Sequence, residues 1–125
     1  MNMQKQLLQP QEIEVFYVIP TIRSYFAKYM KEQGKTQKEI SQLLHIREST
    51  VSNYVNSKRA AKIEFSENIR NEVKTSSERI KDKWDLLRET QRLLALIRYS
   101  NELCSIHKKL ADIPDCCNIE KTGCI

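Results

Sequence analysis

All four cysteines of the chain, Cys104, Cys116, Cys117 and Cys124, fall within the last 22 of its 125 residues. Independent scattering would cluster them so tightly roughly once in a thousand sequences. Thiolates are soft donors that suit tetrahedral zinc or an iron–sulfur cluster. His107 follows Cys104 by three residues. On a helix that spacing sets both on one side, and the chain after Pro114 can bring the remaining thiols round to them. The spacing C-x2-H-x8-C-C-x6-C is neither the paired C-x2-C of a zinc ribbon nor a ferredoxin run. It marks a ligand cluster without identifying the metal, and the alternative is four reduced thiols with no ligand.

A second feature suits a polyanion. Residues 21–63 carry nine Lys and Arg against three Glu, whereas the rest of the chain nets slightly negative within a total of +5. Localised positive charge is the footprint of a nucleic-acid partner, and a solvated basic face is the alternative. Catalytic patterns are missing. The sequence has no glycine-rich phosphate loop, nucleophile elbow, HExxH motif or paired carboxylates in an apolar setting, so it reads as no enzyme.

The elements that position these residues are helical. Two Gly and three Pro interrupt a chain rich in Glu, Lys, Gln, Leu and Ile, which predicts an all-α fold. Residues 1–10 read as a loose N-terminus. From Gln11 to Gln33 the apolar positions Val15, Ile19, Ile22, Tyr25, Phe26, Tyr29 and Met30 recur at helical spacing, in a helix interrupted or started at Pro20 and stopped by Gly34. Thr36 and Glu39 form a capping box that opens the next helix, with Ile40, Leu43 and Leu44 as its apolar stripe. After His45 and Ile46 a further short helix runs from about Arg47 to Asn56, with Val51, Tyr54 and Val55 facing the same core. Two short helices across a tight turn outline a helix-turn-helix.

Beyond a connection at 60–66, the stretch from Glu67 to Tyr99 is helical and highly charged. Val73, Ile80, Leu87 and Leu94 stand seven apart, but Ser76, Lys83 and Thr90 occupy the alternate seam positions. Two helices with a break near Lys81 to Asp85 fit better than one continuous coiled coil. A short helix over about Asn101 to Ala111 precedes an irregular tail. The organisation is thus 1–10 loose, 11–63 helix-turn-helix, 64–100 helical dimerisation region and 101–125 cysteine-rich metal-binding tail. No stretch approaches the roughly 18 apolar residues of a membrane span, and a cytoplasmic protein is expected.

The run from Thr36 to Arg59 resembles, without a gap, the helix-turn-helix of lambda-repressor-like and Cro-like regulators. The pattern falls on Gln37, on Ile40 and Leu44, and on Ser49, Thr50, Val51, Ser52, Lys58 and Arg59. Departures are His45 where the turn usually carries Gly to supply a positive φ, and Arg47 where Ser or Thr usually caps. In such a domain the second helix enters the major groove. Arg47, Glu48, Ser49, Ser52 and Asn53 are then the candidates to read base edges: Arg to guanine, Glu to a cytosine amino group, Asn to adenine. Gln37, Lys38, Lys58 and Arg59 are placed for phosphates, and Ile40 and Val51 for the core.

The whole chain also resembles small archaeal and bacterial predicted regulators, in which an Ile-Pro-x-Ile-Arg helix, here Ile19 to Arg23, leads into the motif and a short cysteine-containing C-terminus follows. That resemblance implies a tail that binds a metal centre. The expectation is a homodimer on a palindromic double-stranded DNA operator, with an iron–sulfur cluster on Cys104, Cys116, Cys117 and Cys124 sensing redox or iron–sulfur status. The alternatives are structural zinc with His107 as a ligand, and an antitoxin-like or adaptor protein whose long helices bind a partner.

Overall fold

The computed structural model describes residues 8–56, 63–100 and 102–110, with side chains as far as residue 107. These residues form helices and no strand: α1 (Pro10–Ile13), a π-helical turn (Glu14–Val18), α2 (Ile19–Glu32), α3 (Gln37–Leu44), α4 (Glu48–Asn56), α5 (Glu67–Arg79), α6 (Lys83–Tyr99) and α7 (Glu102–Leu110). The all-α expectation holds.

Pro20 lies in the first turn of α2, directly after the π-helical turn, so the expected start or interruption falls where the α-helix changes. The π-helical turn just before it closes through Ile19 N–H to the Glu14 carbonyl, a five-residue step. A proline inside a helix lacks a donor and presses on the carbonyl four residues back. The wider π turn supplies room at that point, and helix continues on both sides. Thr21 adds a bond from its hydroxyl to the Tyr17 carbonyl at 2.6 Å.

α2 is the central strut. Ile22, Phe26 and Met30, four apart, and Ala27 beside them are completely buried, and α3, α4, α5 and α6 all pack on this helix. Burying each large side chain contributes about 1.5–3 kcal/mol. Gly34, at φ 91°, ends α2. Its N–H donates to the Lys31 carbonyl and that of Lys35 to Met30, at 3.0 and 3.1 Å, the paired bonds of a Schellman closure.

α5 and α6 are separate helices, as the mixed seam predicts. Ile80 has extended backbone (φ −80°, ψ 114°), and Asp82 caps α6 by accepting from Asp85 N–H at 2.8 Å. Within the heptad row Val73, Ile80 and Leu94 are buried and Leu87 is exposed, so the row does not form one seam. α5 rests on α2 and α6, and α7 rests on α1 and α6. Pro10, expected at the end of a loose terminus, is the first residue of α1; residues 1–7 lie outside the described set.

Candidate nucleic-acid interface

Thr36 and Glu39 build the start of α3. The Thr36 hydroxyl accepts from Glu39 N–H at 3.1 Å, and the Glu39 carboxylate accepts from Thr36 N–H at 3.0 Å. The Thr36 backbone N–H, and after it the Thr36 hydroxyl, hold the Glu39 carboxyl below its ordinary value. α3 ends at His45, which adopts φ 54° and ψ 44°, the left-handed conformation expected of the turn. Its N–H and that of Ile46 both close on the Ser41 carbonyl.

α4 then presents two sides. Val51 is fully buried and Tyr54 and Val55 are half-buried against the core. Arg47, Glu48, Ser49 and Asn53 are exposed, with Ser52 half-exposed among them. These are the five expected base readers, and they share the outer face. Asn56, one turn on, donates to the Ser52 hydroxyl at 3.2 Å. Ile40, like Val51, is completely buried.

Gln37 does more than face solvent. Its side-chain amide donates to the Glu48 carbonyl at 2.9 Å, tying the first turn of α3 to the first turn of α4. The crossing of the two helices is thereby fixed by a residue that itself sits on the outer surface. Lys38 is exposed beside it. Lys58 and Arg59 lie outside the described residues.

Lys31, on the last turn of α2, shares a small cleft with Gln37, Val51, Val55 and Asn56. Motif spacing does not mark Lys31 or Asn56 for the interface. Lys31 counts only towards the charge of residues 21–63, and the α2–α3 packing is what carries it to the recognition helix.

Residues 26–78 match the Helix-turn-helix family model. They form a lambda-repressor/Cro-like helix-turn-helix domain. The matched stretch runs from Phe26 in α2 through the recognition helix α4 to the end of α5, so α5 belongs to the domain's own helices. A chain carrying this helix-turn-helix is a DNA-binding regulator. No curated protein and no solved structure matches the chain. No helix among the described residues is long and apolar enough to cross a membrane.

Of the expected metal ligands, Cys116, Cys117 and Cys124 lie outside the described residues. Cys104 is half-buried on α7 and His107, one turn on, is buried. His107 Nε2 bonds to the Leu8 carbonyl. A carbonyl can only accept, so Nε2 is the donor in this bond. Among the described residues, no three Cys, His, Asp or Glu side chains come together to hold an ion.

Proposed function

We propose that the protein is a homodimeric transcription regulator that reads a two-fold-symmetric DNA site. Each α4 enters a major groove, with Arg47, Glu48, Ser49, Ser52 and Asn53 towards the base edges and Gln37, Lys38, Lys58 and Arg59 towards phosphates. The observation that carries this reading is the two-sided α4, with Val51 sealed in the core and five hydrogen-bonding heads outward, locked to α3 through Gln37. One such unit reads few base pairs. A dimer sets two half-sites about one helical turn apart and multiplies the discrimination.

The test is selection of bound duplexes from a random pool, followed by salt titration. A selected inverted repeat, bound with an affinity that falls steeply with salt, is the expected result. Recovery of no common sequence removes the base-reading assignment.

The reading extends to the cysteines, which bind an iron–sulfur cluster in the cytoplasm and tie DNA binding to redox or iron–sulfur status. Support comes from the clustering of thiols and from the placement of Cys104 on a helix packed against α1 and α6. Such a cluster supplies a redox-labile charge whose gain or loss orders the chain that holds it. Structural zinc is the second reading, favoured by His107 standing one turn from Cys104 on α7. Anaerobic absorbance with iron, sulfide and zinc analysis decides: a brown protein with iron and sulfide supports the cluster, and a colourless one holding zinc supports the clasp.

A further inference from the structure

Three helices meet around one small cleft beside the outer face of α4. Lys31 enters it from the last turn of α2, Gln37 from the first turn of α3, and Val51, Val55 and Asn56 from α4. Val51 is buried and Val55 half-buried, whereas Lys31, Gln37 and Asn56 are exposed, so the cleft has an apolar base and a polar rim. Every rim side chain carries N–H groups, and no carboxylate lines the cleft.

The two amides are each half committed. Gln37 gives one N–H to the Glu48 carbonyl at 2.9 Å, and Asn56 gives one to the Ser52 hydroxyl at 3.2 Å. A side-chain amide has two N–H groups, so each keeps a second one while the first holds the group in place. Lys31 adds an ammonium on a flexible stem. Among the described residues that ammonium has no carboxylate partner. Lys28, one turn earlier on α2, lies instead over the Tyr25 ring at 5.8 Å.

A positive charge and two amide donors around one opening suit an oxyanion, since hydrogen bonds to an ionised acceptor are the strong ones. The cleft measures about 80 Å³, enough for the oxygens of one phosphodiester and too little for an inserted base. With α4 in a major groove, the helices that flank it lie against the DNA backbone. We propose that Lys31, together with the remaining N–H groups of Gln37 and Asn56, holds one backbone phosphate of the bound duplex. The end of α2 is then part of the DNA interface. The inference rests on the reading in which α4 enters the groove, and it gives Gln37 two duties, one N–H fixing the crossing of α3 and α4 and the other meeting the phosphate.

Salt-dependent binding of the full chain tests it, with Lys31→Met as the variant and Lys28→Met as a control that removes the same charge from the same helix. Lys31→Met weakens all duplexes alike and lowers the slope of log affinity against log salt by about 0.9, the value of one phosphate. Its deficit therefore shrinks about 3.5-fold between about 50 and 200 mM salt. Lys28→Met moves the slope much less. Duplexes with a single methylphosphonate, which neutralises one phosphate, locate the contact: at one backbone position the substitution weakens wild type and adds nothing to Lys31→Met. A role confined to the C-terminal end of α2 would lower the urea midpoint and leave the slope alone.

An unchanged slope, a slope change equal to that of Lys28→Met, or methylphosphonate effects that add to Lys31→Met at every position overturns the contact. A changed base preference in Lys31→Met overturns the phosphate in favour of a base edge. Inorganic phosphate that saturates the Gln37 and Asn56 amide signals without DNA, beside a flat methylphosphonate scan, makes the cleft a free-anion site instead. Because a phosphate carries no sequence, the test runs on any duplex the chain binds. Loss of sequence preference with the methylphosphonate coupling intact removes the base readers and leaves Lys31 standing, whereas a wild-type chain that binds no duplex overturns both.

Discussion

His45 carries the turn of the DNA-binding motif in a conformation that L-residues adopt at a cost of about 1–2 kcal/mol. Glycine removes that cost but loses more backbone entropy on folding. We expect His45→Gly to stabilise the protein by up to about 1 kcal/mol, and His45→Val, β-branched at positive φ, to destabilise it by about 1–2 kcal/mol. Urea denaturation midpoints check both. Glu39 gives the pH dependence at this scale. Its folded carboxyl lies below the ordinary value of 4.5, through the Thr36 N–H first and the Thr36 hydroxyl second. A depressed carboxyl stabilises above the unfolded value, and that contribution is lost as pH falls through the folded one. Glu39→Gln should therefore flatten this part of the stability curve on the acid side of 4.5 and leave the rest of the curve in place, which denaturation across that range resolves. On the outer face, Glu48 or Asn53 substitutions should shift base preference by about 1–3 kcal/mol at one operator position, whereas Lys58→Ala should weaken all sequences alike. Quantitative binding to single-base operator variants distinguishes the two. The capping box and the His45 turn were legible in the sequence because their partners lie within a few residues. Lys31 was not, since only tertiary packing brings the end of α2 to α4.

Between elements, the contact of α5 with α6 contains a polar network inside an apolar seam. Ser76, fully buried, donates to Glu89 Oε1 at 2.8 Å and accepts from Arg92. Arg92 also reaches Glu72 at 2.8 Å and Glu89 at 3.2 Å. Its pKa rises even though burial alone would lower it, because the bonds to Glu72 and Glu89 outweigh desolvation. This network explains why the heptad row could not be read as a seam: the alternate position at Ser76 is polar because it bridges two helices of one chain. Truncating Glu89 to Ala leaves Ser76 and Arg92 short of a partner. We expect a loss of about 2 kcal/mol, below the usual cost of breaking a buried pair because Arg92 is about a third exposed. Ser76→Ala should cost about 1 kcal/mol. The double variant should fall short of the sum by about 0.5–1 kcal/mol, which a double-mutant cycle in urea measures. Pro20 shows the converse limit of reading elements from sequence. Proline chemistry predicts a disturbance there, but not that a π turn absorbs it.

At the scale of the molecule, the helix that carries Cys104 is joined to the rest of the fold at two points, and α6 just before it at a third. His107 bonds the Leu8 carbonyl, Arg98 at the end of α6 pairs with Glu14, and the Glu102 carboxylate accepts from Ser66 N–H at 2.7 Å. Ser66 is also the cap of α5, so Glu102 grips the residue where the connection from α4 becomes helix again. Apolar contacts follow the same path. Leu103 and Ile106 of α7 belong to one buried cluster with Phe65, Ile22 and Val51. The sequence marks α7 as a short helix, yet nothing in its spacing says what that helix covers, because its partners are about ninety residues away in α1. The expected consequence is one cooperative transition. Leu103→Ala should cost about 2–3 kcal/mol as a core truncation, and the loss should lower a single midpoint seen alike by helical dichroism and by the fluorescence of Trp84 on α6. If α7 were an independent appendage, the same variant would leave the main transition unmoved and change only a small early phase. A cooperative result gives the cysteine region a physical route to the DNA-binding motif: whatever orders or loosens α7 acts on the Ser66 cap and on the cluster that seats Val51, and so on α4, the helix proposed to enter the groove.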